Sequence, residues 1–364
     1  MKTRLFFLLF IVSVFVLNAQ QASKYPEQFR DFTLKSYTHV VSNSLYNNIK
    51  LIDLRKDTLR LGQCQFGFLK KIKTLTPKPT LSIQVSDLLA NTIDQTAKKG
   101  DLVLFLKRFI FTAFTPKGNF LLKANLFRKS DSLYSFIQSI DTVIRLNKEI
   151  VTDETIRLGD SVLCNFITRN LLNVGDLKRS FAYKDALFFD NIEKQKLKLY
   201  NTTPLVDGIY YSYESFKNQI PDNNGVVVRK NDKIKSVKSV DKKGFMAVLQ
   251  PQSIYALVKD GLPFISNGLG YYPLVMRDGD FVFIGKYRES NNSGRVAAAA
   301  FVFGYLGALA ASQAEFNTYF YCELNYKNGN IMRVCETPID INASSSVYCY
   351  DNGTGLWTLD SYNN

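Results

Sequence analysis

Three apolar runs, LVLFLKRFIFTAF (102–114), NFLLKANLF (119–127) and SLYSFIQSIDTVIRL (132–146), follow one another with only turn chemistry between them. Pro116-Lys117-Gly118 separates the first two and Lys129-Ser130-Asp131 the last two. Runs rich in β-branched and aromatic residues, joined by so few residues, have to fold back on one another as antiparallel strands. Ser86 is placed to cap a preceding helix through DLLANTIDQTAKK, with Leu88, Leu89 and Ile93 on one face and Gly100 after its end. Downstream, the spacing predicts a helix over 160–172 and a charged amphipathic helix over 186–199.

That order of helix, three antiparallel strands and helix resembles, in outline, the small α/β domains of periplasmic accessory proteins of transport systems. After Pro204 the texture changes to short strands with frequent turns. The expected fold class is α+β: an N-terminal α/β domain with an antiparallel sheet, and a C-terminal β-rich domain with one buried Ala/Gly-rich helix or hairpin. The boundaries read as a signal peptide at 1–20, domains at 21–203 and 204–341, and a polar tail at 342–364. In 207–221, DGIYYSYESFKNQIP, Ser212 is placed to cap a short helix, Phe216 to be its buried residue and Pro221 to stop it. This stretch resembles a segment of uncharacterised exported bacterial proteins, a G-I-Y start leading into a helix with E-x-F. The resemblance implies no assigned activity. YYPLVMRDGDFVFIGKY reads as a hairpin turning at Asp278-Gly279.

The chain begins MKTRLFFLLFIVSVFVLNAQ. Lys2 and Arg4, an apolar run and Ala19 have the order of a secretory signal, the alternative being an uncleaved anchor. The apolar run is shorter than the about 20 residues that a spanning helix needs. No cysteine follows it before Cys64, so a lipid-modified cysteine has no candidate. Removing Lys2 and Arg4 with the leader lowers the formal charge from +14 to +12. An exported basic protein is expected to meet anionic glycans, lipid head groups or acidic envelope proteins and no nucleic acid.

The block VAAAAFVFGYLGALAA, 296–311, would span roughly 24 Å as a helix, against about 30 Å of hydrocarbon. Lys286, Arg288 and Arg295 on its outer flank oppose the positive-inside preference. Gly304 and Ala308, like Gly307 and Ala311, recur at helical spacing and suit close packing. A buried helix or hairpin is the favoured expectation, with membrane insertion or an exposed self-association surface, and hence a homo-oligomer, as alternatives.

In CELNYKNGNIMRVC, a two-residue turn at Asn328-Gly329 would bring Cys322 opposite Cys335. Such a pair falls within disulfide reach, which an oxidising compartment permits. Cys349 is the competing partner, and two reduced buried thiols are the alternative. Cys64 and Cys164 read as core residues.

Catalytic chemistry is scarce. There is a single histidine, His39, so sites needing several histidines are excluded, and no C-x-x-C pair or phosphate loop occurs. No catalytic residue, metal ligand or cofactor is therefore assigned. Asp278 and Asp280 around Gly279 fit a turn better than a calcium loop. The run RKNDKIKSVKSVDKKG offers Lys233, Lys235, Lys238, Lys242 and Lys243 as anion-binding candidates, although a solvated edge strand guarded by lysines explains them too. The expected role is a non-catalytic binding or assembly component of the envelope, periplasmic, outer-membrane associated or secreted. The alternatives are a secreted glycan hydrolase using Asp/Glu pairs, recognisable by a cleft lined with two carboxylates and aromatic rings, or a component attached to a membrane through 296–311.

Overall fold

A computed structural model describes residues 28–35, 40–230, 233–240, 244, 246–289, 316–337, 346–351 and 356–361. The segment expected as a signal peptide, His39, Lys242, Lys243 and the block at 296–311 lie outside the described residues. The first half runs β1 (Phe29–Phe32), β2 (Asn48–Asp53), β3 (Gly62–Phe66), β4 (Lys71–Pro77), α1 (Leu81–Thr92), β5 (Asp101–Phe114), β6 (Lys117–Ser130), β7 (Leu133–Asn147), α2 (Thr152–Thr168), β8 (Ser180–Phe181), α3 (Tyr183–Leu187), α4 (Phe189–Gln195) and α5 (Lys198–Asn201).

The three apolar runs form the antiparallel meander β5-β6-β7. Phe114 faces Lys117 and Ser130 faces Leu133, so Thr115-Pro116 and Asp131-Ser132 make the turns. Asp131 takes the positive φ of 53° that its short polar side chain tolerates. β5 is long enough to hold two parallel partners on its other edge, β2 along its first half and β3 near its end. β4 and β1 extend the sheet beyond β3, and β8 closes the β7 edge. One face carries Leu104, Leu106, Phe109, Phe111, Phe120, Leu122 and Leu126 into a core covered by α1 and α2. At about 1.5–3 kcal/mol for each large apolar side chain buried, this cluster is the main stabilising mass of the first half.

The helices depart from expectation for packing reasons. α1 begins at Leu81, so Ser86 lies inside it and donates to the Ser82 carbonyl at 3.0 Å; Leu81 and Val85 extend the buried face upstream. α2 begins at Thr152 and runs through Gly159, a residue that usually interrupts helices. A β-carbon there would lie 2.6 Å from the Phe120 ring and closer still to Phe111, so the glycine lets the helix settle onto the sheet. The expected helix at 186–199 is broken into α3, α4 and α5. Both Ala186 and Phe189 are buried against the opposite face of the sheet, beside Phe105 and Phe127, which a single straight helix does not achieve.

The second half comprises β9 (Gly208–Tyr210), α6 (Tyr213–Lys217), β10 (Val226–Lys230), β11 (Lys233–Val240), β12 (Met246–Leu249), β13 (Ala256–Lys259), β14 (Leu262–Ser266), β15 (Tyr271–Pro273), β16 (Val275–Arg277), β17 (Asp280–Glu289), β18 (Phe316–Leu324), β19 (Ile331–Thr337), β20 (Ser346–Asp351) and β21 (Leu356–Ser361). They form small sheets ordered β15-β14-β13-β9, β16-β17-β18-β19, β10-β11-β12 and β20-β21. The fold class is α+β, a mixed curled sheet followed by several β-rich sheets. α6 begins at Ser212, whose hydroxyl accepts from the Ser215 N–H while the Ser215 hydroxyl reaches back, a reciprocal cap. Phe216 is fully buried against Tyr210. Asp278 and Gly279, both at positive φ, join β16 to β17 in a two-residue turn.

Three expectations are corrected. β11, which carries the lysine run, is the centre of its sheet and not an edge. The segment expected as a polar tail contains the paired strands β20 and β21. The hairpin at Asn328-Gly329 is not a two-residue turn: Asn325 N–H donates to the Asn330 carbonyl and Gly329 N–H to the Asn325 carbonyl, which makes a four-residue loop. A bulge then follows between Tyr321 and Cys322. Loop and bulge together shift the register, so Cys322 faces Arg333 and Cys335 faces Tyr321.

Candidate functional site

The face of the meander away from α1 and α2 changes character along its length. Near β8 it is aromatic, with Phe105, Phe127 and Phe189 packed together; beyond Lys107 it turns polar. A β-bulge in β5 between Leu106 and Arg108 breaks the alternation of sides. Consecutive residues are thereby both engaged: Lys107 Nζ lies 2.8 Å from Asp190 Oδ2 of α4, and Arg108 Nη2 lies 2.7 Å from Glu323 Oε1 of β18.

Around these two pairs runs a seam of charge joining the meander to α4, β17 and the β18–β19 loop. Asp190 also accepts from Asn125 Nδ2 at 3.2 Å and from the Tyr326 hydroxyl at 3.0 Å. Lys123 Nζ lies 3.5 Å from both Asp141 of β7 and Asp280 of β17. Lys194 pairs with Asp280 at 2.5 Å and donates to the Gly279 carbonyl. Lys327 of the loop contacts Ser139 of β7. Burial works against the Asp190 charge, but Lys107, helped by Lys327 and Lys123, holds its carboxyl well below the usual range. Asp141 goes the other way: burial outweighs Lys123 and Arg108 and raises its carboxyl. Its Oδ1 and the Glu323 Oε2 are buried without a hydrogen-bond partner.

Between β7 and the β18–β19 hairpin this seam opens into a cavity of about 400 Å³, within the size range of small-molecule sites. Asp141, Val143 and Arg145 line it from β7, Asn325, Asn328 and Asn330 from the loop, and Ile331, Met332 and Arg333 from β19. The carboxamide oxygens of Asn325 and Asn328 accept from the N–H groups of Lys327 and Asn330, which fixes the loop. The Asn325 Nδ2 group is directed at the Met332 sulfur, 4.0 Å away. The two guanidiniums share one aromatic support, Arg145 lying 4.2 Å and Arg333 5.2 Å from the centre of the Phe320 ring. Cation–π stacking holds a guanidinium in place over the ring.

Chemically, two guanidiniums and several carboxamides are donors for oxyanions and hydroxyl groups. Among the described residues, one carboxylate, Asp141, and no aromatic side chain line the cavity, whereas the hydrolase expectation called for paired carboxylates and rings. Among the described residues, no group of three or more His, Cys, Asp or Glu is placed to hold a metal ion, and no helix is long and apolar enough to cross a membrane.

The residues singled out in the sequence lie elsewhere. Lys235 is exposed and Lys238 half-buried on β11; the backbone of Lys233 pairs with Lys230. Asp280 is ion-paired to Lys194 and Lys123, and Asp278 lies 3.8 Å from Lys56. Cys64, Cys164 and Cys322 are free and buried; burial pushes the Cys64 and Cys322 thiols up to about 12. The cavity residues were missed, although one signal for them exists. Asp141 and Arg145, like Lys107, Arg108 and Lys123 of the adjoining seam, are ionisable residues set in the middle of otherwise apolar runs, where buried charge has to be paired.

No family model matches the chain, and no curated protein matches it. Among solved structures it is similar to a Xanthomonas campestris protein, XCC0632, assigned to the DUF330 family, at 11% identity and a TM-score of 0.25, over 46% of this chain and 99% of that one. A second similar structure is described as an uncharacterised protein, at 12% identity and a TM-score of 0.22, over 40% of this chain and 99% of that one. Likenesses this distant carry no argument about fold or activity.

Proposed function

We propose that this is an exported, non-catalytic envelope protein that binds an acidic glycan in the cavity between β7 and the β18–β19 hairpin. One observation carries the reading: two ring-supported guanidiniums, Arg145 and Arg333, line the same cavity as three asparagines. Arginine forks match a carboxylate or sulfate, and carboxamides match sugar hydroxyls. The amino-terminal charge-then-apolar order and the basic composition support the envelope setting. The resemblance of 207–221 to exported bacterial proteins points the same way.

Titration calorimetry of the whole protein with a uronic-acid oligosaccharide and with its neutral counterpart tests this. Preferential binding of the acidic sugar, weakened about tenfold or more by Arg333→Ala, is expected from the loss of one charge-assisted contact. Equal affinity for the two sugars, or none for either, contradicts it. Fractionation of cells into soluble, inner-membrane and outer-membrane pools tests export.

A further inference from the structure

The turn joining β3 to β4 has the wrong chemistry for a turn facing water. Phe66 and Lys71 are paired across the hairpin, and Gly67 to Lys70 form the loop, with Lys70 N–H donating to the Gly67 carbonyl at 3.1 Å. The two corner positions between Gly67 and Lys70 normally carry small polar residues. Here they carry Phe68, 99% exposed, and Leu69, 74% exposed, followed by Ile72 at 52%. No residue of the described chain covers them.

The same tip is basic. Lys70 and Lys71 are exposed and Lys73 half-exposed, and among the described residues no carboxylate pairs with them. Another exposed apolar side chain stands at this end of the sheet. The Thr152 hydroxyl donates to the Gln65 carbonyl at 2.6 Å, tying the start of α2 to the base of the hairpin, and Ile150, in the loop just before α2, is 79% exposed. The tip itself rests on an ordered base, since β3 is held by both β4 and β5 and Thr115 N–H donates to the Gln65 side chain.

We infer that the β3–β4 tip is a docking wedge for an anionic lipid bilayer, Phe68 and Leu69 entering the interface while Lys70, Lys71 and Lys73 meet the head groups. A convex apolar point ringed by lysines matches that surface: apolar side chains gain by leaving water, and long basic stems snorkel to the phosphates. A protein pocket for Phe68 would not call for three lysines around it that no described carboxylate pairs. The inference is independent of the cavity, whose residues lie on β7, β19 and the β18–β19 loop.

The test is sedimentation of the whole protein with vesicles of phosphatidylcholine alone and of phosphatidylcholine mixed with phosphatidylglycerol. Binding to the mixed vesicles that falls with added salt is expected. Phe68→Ser with Leu69→Ser lowers the partition coefficient about tenfold or more, because two apolar insertions are lost. Lys70→Glu with Lys71→Glu lowers it to a similar degree, about tenfold. Neither pair touches a buried residue, and an unchanged unfolding midpoint verifies the fold. As a second readout, Phe68→Trp in a Trp357→Phe background shows a blue-shifted emission with mixed vesicles. Absence of vesicle binding, equal sedimentation of wild type and Phe68→Ser/Leu69→Ser, or an emission unmoved by lipid overturns the proposal. So does a dimer seen without lipid and abolished by the serine pair, which assigns the tip to a second copy of the chain.

Discussion

Arg108 and Glu323 are 215 residues apart in the chain, yet their side chains meet at 2.7 Å in the seam between the meander and β18. Burial opposes the Arg108 charge, but Glu323, helped by Asp141 and Asp280, raises the guanidinium above its ordinary value. Such a pair is weak as net stabilisation, but removing one partner leaves a buried charge unanswered. Glu323→Ala is expected to lower unfolding stability by about 3–5 kcal/mol, and the double variant Arg108→Met/Glu323→Leu to recover most of it. Denaturant unfolding of the two variants checks this.

Asp190 and Asp141 lie in one seam and predict opposite pH behaviour. The folded carboxyl of Asp190 is held below its unfolded value, so its stabilisation is present at neutral pH and is lost as pH falls through the acid range. Asp141 is raised, so its contribution is present below the ordinary carboxylate value and is lost as pH rises through the raised one. At pH 7, Asp190→Asn is expected to cost about 3 kcal/mol or more, and Asp141→Asn about 1 kcal/mol or less. Thermal unfolding between pH 3 and pH 8, conditions set by the range of carboxylate titration, follows the difference, which narrows towards acid.

Gly159 marks where α2 meets Phe111 and Phe120. Gly159→Ala usually favours a helix, but here the added methyl forces the helix off the rings. A loss of about 1–3 kcal/mol is expected in place of the usual gain of about 1 kcal/mol, measured by denaturant unfolding.

Ser212 and Phe216 separate capping from packing within one five-residue helix. Ser212→Ala removes the reciprocal cap and is expected to cost about 1 kcal/mol. Phe216→Ala empties a fully buried site and is expected to cost about 3–5 kcal/mol. Equal effects in chemical unfolding would contradict this division.

Cys322, facing Arg333 and buried beside the Tyr287 hydroxyl, is expected to resist alkylation in the folded protein at pH 8 and to react on unfolding. A non-reduced digest linking Cys322 to Cys335 would contradict the observed register.

Local rules carried much of the architecture. The meander, the Asp278-Gly279 turn and the Ser212–Phe216 helix were legible because turn residues and caps act over a few positions. Longer-range effects were not. Gly159 reads as a helix breaker until the rings beneath it are known. Asn328-Gly329 reads as a two-residue turn because nothing local reveals the four-residue loop or the bulge at Tyr321. The cavity escaped for the same reason, since Asp141 and Arg333 belong to one site only after the β18–β19 hairpin folds back onto β7. Phe68-Leu69 before Lys70-Lys71 drew no reading from the sequence, since its exposure depends on the hairpin that presents it.

The central claim, that Arg145 and Arg333 make the β7 cavity a receptor for acidic sugar, is tested most directly by titrating the Arg145→Ala/Arg333→Ala protein beside the wild type. The uronic-acid oligosaccharide is expected to bind the wild type and to be lost from the double variant, with the unfolding midpoint of the two proteins alike. Undiminished binding by a folded double variant would contradict it.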